Sequence, residues 1–329
     1  MNFKVLLVAL LVIALLADSS DAWGRRRRRR RTSRRRRSFF RRLGSAIVRV
    51  FRPCSVGSNS YPYDRHLAKK MIWYSAIAYH TRTPLTGWRC QACQNVLVKG
   101  FKLLERIYFK PLHLVAYVGF DPKLSALVVA FRGTDGPNAK NWFKVNLKIG
   151  KRTPTGLFTS AGKVHRGFYN AYMALRSRVW DLVHRGRAMY RTSRVYVTGH
   201  SMGGALAVLA ALDLKVNRRM DVRMINFGAP RVGSPCFARY YSQRLTNSLR
   251  IAHKWDPVTL VPLVLQGYHH VPRYHNDRSS LANHLKYENV VLAKISSRRK
   301  RKRRDVTITI TDLAPHENQH NKYAHHDIV

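Results

Sequence analysis

Acidic residues are scarce: the 329-residue chain carries 16 Asp and Glu against 61 Lys and Arg, a formal net charge of +45. A chain so short of acid cannot neutralise itself through internal ion pairs, and its field draws it toward anionic surfaces. Cysteine is sparse too, at four residues: Cys54, Cys90, Cys93 and Cys236. With a single C-x-x-C pair, a structural zinc site lacks half its ligands. Long apolar runs are missing. Nothing after the N-terminus offers the ~18 unbroken apolar residues that a transmembrane helix needs, and no internal repeat is visible.

What is present begins with an address. Lys4 precedes an apolar run from Val5 to Leu16, which is followed by the small-x-small sequence Ser20-Asp21-Ala22. This layout reads as a secretory signal peptide over residues 1–22, so the expected location is extracellular, and export makes disulfides expected. Residues 23–60 read as an Arg-rich disordered arm, with Arg25 to Arg31 and Arg34 to Arg37 at its start. Charge of one sign at that density repels itself and cannot pack. A second run, Arg298 to Arg304, reads as a basic hairpin insertion at residues 297–305 of a domain spanning 61–329. In a cytosolic chain such runs would indicate nucleic acid; with an export signal, acidic phospholipid or heparan-type polysaccharide is the expected partner. Paired basic residues on a mobile tail are also ready sites for proteolytic processing.

The middle of the chain alternates between strand-like and helical patterns. Leu67, Met71, Tyr74 and Ala78 step by three and four, as an amphipathic helix does. Strands are expected at Leu114 to Phe120, Ala126 to Phe131, Val195 to Thr198, Met224 to Phe227 and Leu249 to Ala252, with helices over Gly167 to Tyr190 and Ala205 to Leu214. The continuous apolar run at Ala126 to Phe131 suits a strand buried on both faces. This alternation specifies an α/β fold with a mostly parallel central sheet flanked by helices. Two further strands are expected at Glu288 to Ile295 and Val306 to Thr311, joined by the second basic run.

Between the strand at Val195 and the helix at Ala205 lies Gly199-His-Ser201-Met-Gly203-Gly204. A G-x-S-x-G sequence in this setting is a nucleophile elbow, in which the strand turns sharply into the helix and lifts the serine oxygen clear. Small residues at 199, 203 and 204 permit close backbone approach. The helix N-terminus favours developing negative charge at Ser201. In this architecture the acid and the histidine follow the serine in chain order. Asp256 lies just past the strand at Leu249 and is the candidate acid, although an Asp before Pro257 also suits a plain turn.

Several blocks, taken together, resemble the class 3 lipases, the fungal extracellular triacylglycerol lipase type of α/β-hydrolase. They are Trp88-Arg-Cys90-Gln-Ala-Cys93, Val129-Ala-Phe-Arg-Gly-Thr134, Asn141-Trp142, Val164-His-Arg-Gly-Phe168, the Ser201 elbow, Asn226-Phe-Gly-Ala-Pro-Arg-Val-Gly233, Asp256-Pro-Val and Gly267-Tyr-His-His-Val271. The resemblance covers about residues 66–275. It implies a short Cys90–Cys93 disulfide and an oxyanion hole from Thr134 and the Met202 N–H. It also implies a lid carrying Trp142 and Phe143, with ordinary core as the alternative reading of these aromatic rings. Lys140, Lys144 and Lys148 on that lid would favour anionic interfaces. The resemblance implies neither cofactor nor metal. Cys54 and Cys236 have no place in the motif series.

The family sets its histidine near the C-terminus, three residues before an aromatic. His320 (with Tyr323) and His284 (with Tyr287) both fit, and His326 is a further candidate. His320 follows both expected late strands and is preferred for the base, with His284 as the alternate. His165, His200 and His253 read as structural or supporting. The His-rich tail offers no convincing metal spacing. The expected function is hydrolysis of carboxylic esters in acylglycerols or phospholipids at an interface. The alternatives are a cationic surface-binding protein on a degenerate hydrolase scaffold, or an esterase for non-lipid (aromatic plant) esters.

Overall fold

The computed structural model describes residues 62–80, 85–134, 150–278 and 283–292. The expected signal peptide (1–22), the expected Arg-rich arm (23–60), the expected lid residues Trp142 and Phe143, the expected basic hairpin at 297–305, His320, His326 and Cys54 lie outside the described residues.

The run at Ala126 to Phe131 sets the centre. It forms β3 (Ala126–Phe131), following β1 (Lys102–Phe109) and β2 (Leu114–Asp121). All six β3 residues are buried. Beneath the continuous apolar run the pleat still sorts side chains by twos: Leu127, Val129 and Phe131 enter one core cluster and Val128 and Ala130 the other. Two short pieces, β4 (Lys151–Arg152) and β5 (Val164–His165), pair with each other, and then come β6 (Arg194–His200), β7 (Asp221–Phe227), β8 (Ser248–Ala252) and β9 (Tyr274–Asn276). The main sheet has the order β1-β2-β3-β6-β7-β8-β9. The β1–β2–β3 meander is antiparallel, and every neighbour from β3 through β9 is parallel.

Helices cover both faces, as a sheet of this kind requires. On one face lie α2 (Arg166–Tyr190) and α3 (Met202–Arg218), packed over Val195, Val197, Val222 and Met224. The other face carries α1 (Arg65–Ile77), whose Met71 and Ile72 join Tyr196, Ile225 and Ile251. A fourth helix, α4 (Pro235–Arg244), starts at Ser234, whose hydroxyl accepts from the Phe237 N–H. Asp64 caps α1 by accepting from the His66 and Leu67 N–H groups. His165 caps α2 in the same way through Nδ1, at 3.1 Å from Gly167 N and 3.3 Å from Phe168 N. That acceptor role needs an unprotonated nitrogen, and burial pushes the His165 pKa down to about 4. His165 is therefore a helix cap.

Two buried carboxylates tie layers together. Asp121 accepts from Lys70 Nζ at 2.7 Å and Tyr74 Oη at 2.7 Å. Asp213, fully buried in α3, accepts from Tyr172 Oη at 2.6 Å, Arg176 Nε at 2.8 Å and Trp180 Nε1 at 2.9 Å, and so clamps α2 to α3.

The Cys90–Cys93 disulfide is formed, below an aromatic cluster in which Trp88 lies 4.3 Å from Phe101 and 5.7 Å from Tyr117. Cys236 is also disulfide-bonded. The expected strand from Glu288 is corrected. Lys286–Tyr287 and Val290–Val291 form a tight hairpin, β10–β11, and Glu288 and Asn289 are its turn, with φ of 48° and 64°. A strand cannot continue through two positive-φ residues.

Candidate active site

Ser201 joins the end of β6 to the start of α3 with φ 57° and ψ −129°. A serine with positive φ is strained and persists only where its surroundings over-determine it. Those surroundings are tight. A Cβ at Gly199 would lie 2.3 Å from the Gly203 carbonyl oxygen, and one at Gly203 would lie 2.3 Å from that of Phe131. The Ser201 N–H donates to Phe227 O at 2.9 Å, which ties the bend to β7.

The end of β3 meets the elbow at Gly133, where a Cβ would lie 3.1 Å from Ser201 Cβ and 2.6 Å from His200 O. Thr134, one residue on, reaches Met202 with its hydroxyl 3.8 Å from the thioether sulfur. Thr134 and Met202 therefore stand together beside Ser201.

Asp256 follows the C-terminal end of β8 and is fully buried. Its Oδ1 accepts from the Val258 N–H at 2.9 Å. Its Oδ2 faces two donors, His284 Nδ1 at 2.7 Å and the Tyr287 hydroxyl. Burial pushes the Asp256 carboxyl up, but the His284 charge and the three hydrogen bonds outweigh it and hold the pKa below the ordinary value. An ionised Asp256 can only accept, so the His284 nitrogen that faces it, Nδ1, carries a proton. The His284 Nε2 is buried and has no hydrogen-bond partner among the described residues.

The elbow grips the loop that carries His284. His200 Nε2 donates to His284 O at 2.7 Å, while His200 Nδ1 takes a 2.8 Å bond from the Tyr79 hydroxyl. The two imidazole centroids lie 4.4 Å apart. Burial, and then the neighbouring His284, push the His200 pKa down to about 3, which keeps it neutral and fixes the tautomer that donates to His284 O. Gly228, at φ 54°, lies under the same groups: a Cβ there would be 2.7 Å from Tyr287 Oη, 2.9 Å from Asp256 Oδ2 and 2.9 Å from His284 Cε1. Behind them, His253 bonds Asp277 O at 2.7 Å and the Lys286 carbonyl, with its ring stacked on Tyr287 at 4.3 Å.

The structure thus brings together Ser201, Thr134 and Met202 on one side and Asp256 with His284 on the other, joined through His200. His320 lies outside the described residues, as do Trp142 and Phe143. The site residues unread in the sequence are Tyr79, Gly133 and Gly228. Tyr79 carries no sequence signal, because its contact with His200 spans 121 residues. Gly228, inside the Asn226 to Gly233 block, did carry one. Among the described residues no group of three His, Cys, Asp or Glu could hold a metal ion.

A serine on a strained strand-to-helix turn, followed in chain order by a buried Asp past the end of a parallel strand and by a half-buried His bonded to it, is the arrangement of an α/β-hydrolase. Residues 128–266 match the family model for lipase (class 3). The chain is 34% identical over 167 residues to secreted mono- and diacylglycerol lipase 1 of Fusarium solani, covering 50% of this chain and 48% of that one. It is 29% identical over 233 residues to a lipase of Caenorhabditis elegans, covering 68% and 62%. The chain spans about half to three-fifths of the length of these relatives. Among solved structures, lipase II of Rhizopus niveus superposes with a TM-score of 0.61 at 25% identity, over 69% of this chain and 95% of that one. A triacylglycerol lipase whose catalytic centre is a serine-protease triad gives 0.63 at 23%, over 73% and 100%.

Proposed function

We propose that the protein is a secreted serine hydrolase that cleaves the carboxylic esters of lipids, acylglycerols or phospholipids, through an acyl-enzyme. The observation that carries this reading is the Asp256–His284 bond, with Nε2 buried and without a hydrogen-bond partner among the described residues. In this reading the triad is Ser201, His284 and Asp256, with His284 in place of His320.

The Ser201 Oγ attacks the ester carbonyl carbon as its proton passes to His284 Nε2. Asp256 holds the ring by Nδ1 and stabilises the imidazolium that forms. The Thr134 and Met202 N–H groups donate to the oxyanion, and such a donor typically supplies roughly 3 kcal/mol. Collapse of the tetrahedral intermediate breaks the ester C–O bond, and His284 returns its proton to the departing alkoxide. Water then attacks the acyl-serine with His284 as base and frees the carboxylic acid. Relatives named as secreted mono- and diacylglycerol lipases support both the lipid substrate and export. The excess of basic residues supports anionic membrane or polysaccharide surfaces as partners. No helix among the described residues is long and apolar enough to cross a membrane.

The test is hydrolysis of emulsified monoacylglycerol, diacylglycerol and phospholipid by the purified protein. Activity should vanish in Ser201→Ala. Retention of activity in that variant would overturn the assignment. Turnover of aromatic esters with none of the lipids would move the substrate class.

A further inference from the structure

Half of the exposed large apolar side chains among the described residues fall in one short stretch. Trp255 is 45% exposed, Leu260 45%, Leu263 47%, Val264 40% and Leu265 98%. The stretch begins beside Asp256 and ends in a single helical turn, Val264–Gln266. Exposed apolar groups gathered in this way mark an interaction surface. We infer that residues 255–265 form a fixed ridge that inserts into the headgroup–acyl boundary of an anionic lipid surface and seats the candidate active site on it. This inference rests on the lipid-ester reading above.

Two further observations select lipid as the occupant. The first is the backbone. A segment lying at the headgroup–acyl boundary is favoured when much of its backbone is already hydrogen-bonded. Here Leu260 N donates to Pro257 O at 3.2 Å, Leu263 N to Gln266 Oε1 at 2.8 Å, Gln266 N to Leu263 O at 3.0 Å and Gly267 N to Val264 O at 2.7 Å. Carbonyls are closed from the flanks: Arg231 donates to Leu260 O and Pro262 O, and Lys151 Nζ to Gln266 O. A loop fixed in this way carries its leucines outward without a further ordering cost. The second observation is charge. Between residues 254 and 278 the two acids, Asp256 and Asp277, are 0% and 4% exposed, while Lys254 and Arg278 are open to solvent. Lys254 Nζ lies 5.1 Å from the Trp255 ring centroid. Cations beside an apolar ridge match lipid phosphates beside acyl chains, and a tryptophan at its rim suits the interface.

The test uses the full chain with Ser201→Ala, so that binding is read apart from hydrolysis. Co-sedimentation with phosphatidylglycerol vesicles is compared between the parent and Leu263→Asp/Leu265→Asp, at low salt and at about 1 M salt, where screening shortens to ~3 Å and the arginine runs contribute little. At high salt the double variant should bind at least about tenfold more weakly, because each leucine buried in the acyl region is worth that factor. Leu265→Trp should bind more tightly than the parent, a gain that misfolding cannot produce. The melting temperature of Leu265→Trp should stay unchanged, since Leu265 is 98% exposed. Equal high-salt binding by parent and double variant overturns the ridge. So does a vesicle-free dimer that the double variant abolishes, which would make a second copy the occupant. Loss of ester hydrolysis by the wild type with ridge binding intact would instead overturn the substrate reading.

Discussion

Replacing Asp256 by asparagine should remove nearly all turnover while leaving the fold in place, and the hydrogen bonds around it say why. Asp256 Oδ2 receives His284 Nδ1 at 2.7 Å and the Tyr287 hydroxyl, and Oδ1 receives the Val258 N–H at 2.9 Å. An amide offers one acceptor in place of two. If its nitrogen replaced Oδ1, N–H would face the Val258 N–H, and two buried donors would be left unmatched at roughly 1–3 kcal/mol each. The nitrogen therefore takes the Oδ2 place. The Tyr287 hydroxyl can turn and accept. The imidazole cannot both keep Nδ1–H and accept there, so its proton moves to Nε2, and the base that should take the Ser201 proton is lost. In a serine triad of known geometry this wrong tautomer lowers kcat about 10⁴-fold, or about 5.5 kcal/mol of barrier. The assay is kcat/KM on a short-chain soluble ester, with thermal melting as the control for folding. A kcat/KM within about tenfold of wild type would refute the tautomer argument, because one charged hydrogen bond alone is worth roughly 1.5–3 kcal/mol.

Other consequences follow from the same geometry. Gly228→Ala should cost both activity and stability, since its Cβ would stand 2.7–2.9 Å from Tyr287, Asp256 and His284 at φ 54°; unchanged kcat/KM and melting temperature would contradict this. Asp213→Asn weakens the α2–α3 clamp and should lower the melting temperature by roughly 5–10 °C, from about 3 kcal/mol for a damaged buried ion pair, with little effect on KM. Folding stability should fall as pH drops from about 6.5 toward 4. His165 and His200 have folded pKa values depressed to about 4 and about 3, and His270 is depressed as well. Each therefore stabilises the fold above its unfolded pKa and loses that contribution as pH falls through the folded one. Thermal melts from pH 7 to 4 check the sign, and a flat curve would contradict it.

The parts legible in the sequence are those whose signal is local. The apolar run at Ala126 to Phe131 needed only its own composition to be read as a doubly covered strand, and the Ser201 bend declared itself through its glycines. Edge strand β1 escaped because Lys102, Glu105 and Arg106 interrupt its apolar pattern, and its pairing with β2 is shifted between Leu103 and Glu105. The choice between His284 and His320 could not be made from spacing. His284 comes 28 residues after Asp256, and β9 with the loops around it turns the chain back onto Asp256 and His200. Tyr79 was invisible for the same reason: a contact across the whole domain leaves no trace in nearby residues.

The account stands on His284 being the base that activates Ser201. Labelling by a fluorophosphonate probe reads that activation directly, without reference to any substrate. His284→Ala should slow labelling of Ser201 by at least about 10³-fold, the scale of losing a triad member, while His320→Ala should label at the wild-type rate. Rapid labelling of His284→Ala together with slow labelling of His320→Ala would contradict the assignment.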